Sequence, residues 1–79
     1  MMPSQGLSNA VSQVVARFAR VDPPYAPGAH LYRDLGIESV HVLNLLVALE
    51  SEFAVSLDDR RFIQSGTIHE LTDLIGAAQ

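Results

Sequence analysis

The sequence predicts an all-α fold: a small four-helix bundle of three longer helices and one short one, with a long loop between helices 1 and 2. Three observations predict it. Two segments, 7–21 and 39–53, repeat apolar residues at the 3.6-residue period; Thr67-Ile68-His69-Glu70 is a helix-start signal; and a stretch punctuated by Pro23, Pro24, Pro27, Gly28 and Gly36 separates the two periodic segments.

The first helix is expected from Leu7 to Val21. Leu7, Val11, Val14, Val15 and Phe18 form its apolar stripe, with Gln13, Arg17 and Arg20 on other faces. Ser4 or Ser8 caps its start, and Asp22-Pro23-Pro24 stops it, because proline lacks an amide donor and restrains the residue before it. From 22 to 36 no helical period holds. A connection this long inside a small domain is functional or disordered, and Leu31-Tyr32-Arg33-Asp34-Leu35 has the apolar side chains to tie it down as an ordered loop. The second helix, Ser39 to Phe53, is the strongest. Val42, Leu43, Leu46, Leu49 and Phe53 gather on one side; His41, Asn44, Ala48, Ser51 and Glu52 lie on the other; Val40, Val47 and Leu45 sit at the borders, and Glu50, close to the apolar side, must sit near an edge or reach past it. Phe53, Val55 and Leu57 then read as extended. Asp58 or Asp59 caps a short turn, 59–63, that drops Phe62 and Ile63 onto the core. In the last helix Thr67 and Glu70 form a capping box, and Ile68, Leu71, Leu74, Ile75 and Ala78 form the buried stripe.

Seventy-nine residues fit one domain, 1–79, which buries roughly 60% of its unfolded surface. A hydrophobic fraction of 48% excludes a disordered chain, and aromatics at 6% leave the core to Leu, Val, Ala and Ile. Cysteine is absent, which excludes a disulfide framework, a cysteine-ligated metal and thiol catalysis by the chain itself. The net charge of −4, with five arginines and no lysine, argues against nucleic acid or an anionic membrane as partner. Met1 to Gly6 shows no basic leader, and no apolar run approaches the ~20 residues of a membrane span, so a cytoplasmic monomer is expected.

Ser39 follows a glycine turn and opens the strongest helix, where unpaired amides and the helix dipole favour a negative group such as a phosphate ester. A serine at a helix start is, on position alone, more commonly a plain N-cap. The neighbouring residues change that balance. Leu31-Tyr32-Arg33-Asp34-Leu35-Gly36-Ile37-Glu38-Ser39-Val40 resembles the acyl carrier protein signature, in which Asp-Leu-Gly-x-Asp-Ser-Leu precedes the second helix. The resemblance continues through Leu43, Leu45, Leu49-Glu50 and Glu52-Phe53 to Thr67-Ile68, and covers roughly three-quarters of the chain together with the proline-bearing loop.

The resemblance implies a non-catalytic carrier. Ser39 would be the attachment point of 4′-phosphopantetheine, added from coenzyme A by a separate phosphopantetheinyl transferase, and acyl groups would ride as thioesters on the arm. Further partners would be an acyl-loading ligase or acyltransferase and ketosynthase-type enzymes, in fatty acid, polyketide or related specialised biosynthesis. Docking would involve Asp34, Gly36, Glu38, Val40, His41, Asn44 and Val47. Gly36 is expected to give the transferase close access, and Asp34 is either a turn residue or a docking charge.

This chain departs from the family pattern at several places. Glu38 replaces an aspartate, Val40 a leucine, His41 and Asn44 stand at commonly acidic positions, and Arg60-Arg61 replaces an often acidic turn. Fatty-acid carriers present a strongly acidic second helix to basic patches, so contacts here are expected to be more apolar and less sensitive to salt. That favours a specialised-pathway carrier. A peptidyl or aminoacyl carrier is the less fitting variant, because the chain reads Gly36-Ile37-Glu38-Ser39 rather than Gly-Gly-x-Ser. A carrier-like, never modified protein-binding module is the strongest rival. No Gly-x-Ser-x-Gly elbow supports a hydrolase, and His30, His41 and His69 lack metal-ligand spacing, so no catalytic or metal residue is assigned.

Overall fold

A computed structural model describes residues 4–79. Its elements are α1 (Ser4–Val15), a single 3-10 turn (Ser39–His41) running directly into α2 (Val42–Phe53), a short α3 (Asp59–Gln64) and α4 (Ile68–Ala78). The described residues form the expected all-helical bundle, with α1 against both α4 and α2. Val11, Val14 and Val15 of α1, Leu45, Leu46 and Leu49 of α2, Phe62 of α3, and Ile68, Leu71 and Ile75 of α4 build its core.

Helix α1 ends six residues before the expected boundary at Val21, and proline is not what ends it. The amides of Arg17 and Phe18 bond three residues back, to Val14 and Val15, and the Arg20 amide leaves the helix to donate to the Leu35 carbonyl at 2.8 Å. The helix therefore ends in a tightened turn, and the chain after it is held by a partner fifteen residues further along. Of the two expected capping serines, Ser8 lies inside the helix, and the side chain of Ser4 lies outside the described residues.

The long connection is ordered, as its apolar content predicts. Leu31, Leu35 and Ile37 are buried in the same core as the helices. A buried loop must satisfy its backbone polar groups, and this one does so against the start of α4. Leu31 donates to the Gly66 carbonyl (2.8 Å), while Ile68 and His69 donate to Ala29 (3.2 Å) and Pro27 (2.9 Å), so that His30 and Thr67 pair as an antiparallel bridge. The His30 ring serves as a hub, its Nδ1 accepting the amides of Tyr32 and Arg33 at 3.2 Å each.

The short-range start signals fold as read. Asp58 caps α3 by accepting the Arg61 amide at 3.0 Å. Thr67 caps α4 by accepting the Glu70 amide at 3.1 Å. The reciprocal bond of the box falls one residue early, with Glu70 accepting from Gly66 rather than from Thr67. Three expected core positions prove exposed. Ile63 and Ala78 face out, with Thr72 buried on α4 and its hydroxyl donating to the Ile68 carbonyl. On α2, Leu45 (2% exposed) takes the buried place expected of Leu43, because the helix is apolar round most of its circumference and its packing partners, not its period, set its rotation.

Helix α2 ends at Ala54, which adopts the left-handed conformation (φ 54°) while the Val55 amide returns to the Glu50 carbonyl at 3.1 Å. The Glu50 carboxylate reaches past the helix edge, as expected, to accept the Leu57 amide at 2.8 Å. An alanine Cβ is unfavourable at this φ by about 1–2 kcal/mol. Ala54→Gly is therefore expected to raise stability by about 0.5–1 kcal/mol after the added freedom of the unfolded chain is counted, read as a higher urea midpoint. Truncating the loop's anchor, Leu31→Ala, is expected to lower stability by about 2–4 kcal/mol in the same measurement, a core-sized cost from a residue outside every helix.

Candidate functional site

The segment 30–35 closes as a tight turn. The Asp34 and Leu35 amides donate to the His30 carbonyl, and the Asp34 carboxylate accepts the His30 amide at 2.8 Å. Asp34 thus serves the turn while its side chain stays exposed. The chain then reverses at Gly36 (φ 74°), a conformation that suits glycine, and Ile37 donates back to the Leu31 carbonyl at 3.1 Å. Ile37 enters the core, Glu38 is extended, and Ser39 emerges exposed as the first residue of the 3-10 turn.

The residues following Ser39 build the start of α2. His41 donates its amide to the Glu38 carbonyl at 2.9 Å and Val42 donates to Ser39. Neither Glu38 nor His41 caps these turns with its side chain. The Ser39 hydroxyl thus stands at the positive end of a helix whose amides are not claimed by a capping carboxylate.

Arg20, which sequence reasoning left on an outer face of the first helix, occupies the site. Its aliphatic stem lies across Gly36, where an added Cβ would meet its Cγ and Cδ at 3.0 Å and its Cβ at 3.1 Å. The exposed Arg20 stem thus lies over Gly36, the residue expected to give a transferase close access. The Arg20 guanidinium donates to the Glu38 carboxylate, one residue before Ser39. One turn earlier, Phe18 sets its ring 6.4 Å from that of His41, and Arg17 pairs with Glu52 at 3.2 Å. The end of α1 and the turn after it thereby line one edge of α2. No local pattern links Arg20 to Glu38, eighteen residues apart, so only the path of the loop reveals the pair.

The opposite edge of α2 is open and largely apolar, its one carboxylate, Glu50, being half-buried and turned to the Leu57 amide. Val40, Leu43 and Val47, spaced three and four residues apart, are 73%, 66% and 63% exposed, with Asn44 exposed beside them. Of the expected docking residues the structure therefore gathers Val40, Asn44 and Val47 with the unexpected Leu43. Glu38 is exposed but paired, His41 is half-buried, and Asp34 and Gly36 belong to the turn. The three histidines take unrelated positions: His30 in the loop hub, His41 beside Glu38, and His69 against Asp73 at 3.2 Å.

The hydrogen bond from Arg20, and then its charge, hold the Glu38 carboxyl below its ordinary 4.5, with a smaller contribution from His41. A carboxyl whose folded pKa is lowered adds stability above its unfolded pKa and loses it as pH falls through the folded one. The pH titration of Glu38 followed by NMR is expected to show a midpoint below 4.5 that returns toward 4.5 in Arg20→Gln; equal midpoints in the two proteins would contradict the pairing.

Comparison with known proteins bears on this site. Residues 9–75 match the family model described as the phosphopantetheine attachment site. Over 72 residues the chain is 31% identical to acyl carrier protein 2, mitochondrial, of Arabidopsis thaliana, covering 90% of this chain and 57% of that protein. Over 67 residues it is 27% identical to the mitochondrial acyl carrier protein of Neurospora crassa, covering 82% of this chain and 50% of that protein. The chain thus spans about half the length of the curated relatives it matches. Both are named as mitochondrial, which overturns the cytoplasmic expectation. That expectation rested on composition and on the first few residues, whereas the sequence of a carrier fold records packing and docking rather than compartment.

Proposed function

The chain belongs to the phosphopantetheine attachment family that includes the acyl carrier proteins, with covalent 4′-phosphopantetheine as its cofactor, and on that premise we propose that Ser39 is the residue that bears it. The observation that carries the assignment is the placement of Ser39: exposed, one residue after a buried anchor and an extended glutamate, at the uncapped start of α2, and within the matched span. Proteins of this family act generally as carriers rather than catalysts. The arm supplies a terminal thiol on which acyl groups are held as thioesters, a chemistry that a chain without cysteine does not have by itself.

The residues around Ser39 have separable tasks in this reading. Ser39 provides the hydroxyl oxygen that becomes esterified, its proton passing to a base on the transferase while the nucleotide half of coenzyme A leaves. The helix start stabilises the negative phosphodiester next to it. Leu35 and Ile37, buried on either side of Gly36, hold the serine at a fixed position relative to the bundle. The open arc of Val40, Leu43 and Val47 receives the partner enzymes: the phosphopantetheinyl transferase, then an acyl-loading ligase or acyltransferase and ketosynthase-type enzymes. An uncharged, apolar arc of this kind supports a carrier of fatty acid, polyketide or related acyl synthesis whose contacts depend little on charge.

The test is an intact mass after incubation with coenzyme A, magnesium and a broad-specificity phosphopantetheinyl transferase. The expected result is a gain of one phosphopantetheine, lost in Ser39→Ala. No gain with several competent transferases would leave an unmodified binding module instead.

A further inference from the structure

We propose that Arg17 and Arg20 are specificity-determining residues: they cancel the two exposed carboxylates at the borders of the open arc of α2, so that the enzyme that modifies Ser39 must recognise the carrier through an apolar, weakly charged surface. The inference rests on the assignment of Ser39 above and concerns which enzyme surfaces can reach it.

Two pairs run in parallel along one edge of the helix. Arg20 holds Glu38 at its start and Arg17 holds Glu52 near its end. All four side chains are at least half exposed, and exposed ion pairs of this kind contribute little to stability, about 0–1 kcal/mol each. Folding alone therefore gives little reason for two of them on the same edge. Their effect on the surface is larger. Between Glu38 and Glu52, the exposed residues of the arc, Val40, Leu43, Asn44, Val47 and Ser51, are uncharged, both exposed carboxylates at its borders carry a guanidinium, and the half-buried Glu50 turns its carboxylate to the Leu57 amide. An incoming basic surface finds no unpaired carboxylate among these residues and meets two like charges. An apolar surface meets three aliphatic side chains that already face solvent.

Both arginines come from one short stretch, 16–20, whose position is set by backbone bonds rather than by the ion pairs themselves. The Ala19 amide donates to Val15 at 3.1 Å and the Arg20 amide to Leu35 at 2.8 Å. Neutral side chains at 17 and 20 should thus expose Glu38 and Glu52 without moving α2. Loss of both cations takes the net charge from −4 to −6, and the change falls on one edge.

The probe is a phosphopantetheinyl transferase with a basic docking surface, and the readout is kcat/KM for modification of full-length protein between ~50 and ~300 mM salt. Wild type is expected to lose less than about twofold across that range, and Arg17→Gln/Arg20→Gln more than about fivefold, starting from a faster rate at low salt. Adding Glu38→Gln and Glu52→Gln should return the slope to that of wild type. Circular dichroism checks that the helices persist; if the double variant loses them, Arg20→Gln alone carries the test, with about half the logarithmic change. Equal slopes in wild type and variant overturn the proposal, as does a steep slope that survives removal of the two carboxylates. Absence of any mass gain in wild type is a different result: it removes the assignment of Ser39, and this inference with it.

Discussion

The fold depends on how a long connection without regular structure satisfies its backbone while burying three aliphatic side chains. Leu31, Leu35 and Ile37 enter the core as fully as any helical residue. Their neighbours' amides and carbonyls must then be paired inside the protein, since an unpaired buried amide costs on the order of a hydrogen bond's desolvation. Those partners are found at the start of α4, at the end of α1 and within the loop's own turn. Each anchoring point is also a boundary. The Arg20–Leu35 bond holds the turn that follows α1, the Leu31–Gly66 bond lies just before the start of α4, and the turn about His30 delivers Gly36, Glu38 and Ser39 to the start of α2.

What was legible in the sequence follows from the range of the interactions. The caps of α3 and α4 are written within three residues, Asp58 to Arg61 and Thr67 to Glu70, and both form. The site motif is legible for the same reason, since turn, glycine and serine lie within one short segment. The end of α1 was not legible, because Pro23 signals a breaker locally whereas the turn already tightens at Arg17 and Phe18 and the Arg20 amide then goes to the distant Leu35 carbonyl. The rotation of α2 was not legible either. With leucine at 43, 45, 46 and 49, several apolar arcs are compatible with the period, and only the surrounding elements choose the one centred on Leu45, Leu46 and Leu49.

That rotation is what gives the site its character. Had Leu43 been buried and Leu45 exposed, the edge beside Ser39 would have been more polar. Instead the apolar surplus of α2 faces solvent next to the serine, while the charged edge is closed by the end of α1. The mild net charge is thus unevenly distributed. Glu38 and Glu52, the exposed carboxylates bordering the open arc of α2, are paired within the chain, so the overall acidity says little about the surface a partner meets.

The hub at His30 has a mechanical consequence. Because one ring nitrogen holds two amides of the turn and the adjoining backbone is bridged to Thr67, the segment bearing Ser39 is fastened to the helix at the far end of the sequence as well as to its own neighbours. A swinging tether is only as well aimed as its post. With the arm on Ser39 as proposed, the post is clamped from two directions, so the volume the arm would sweep is centred on a point fixed in the frame of the bundle, and an enzyme that seats the bundle would thereby also set the origin of that sweep.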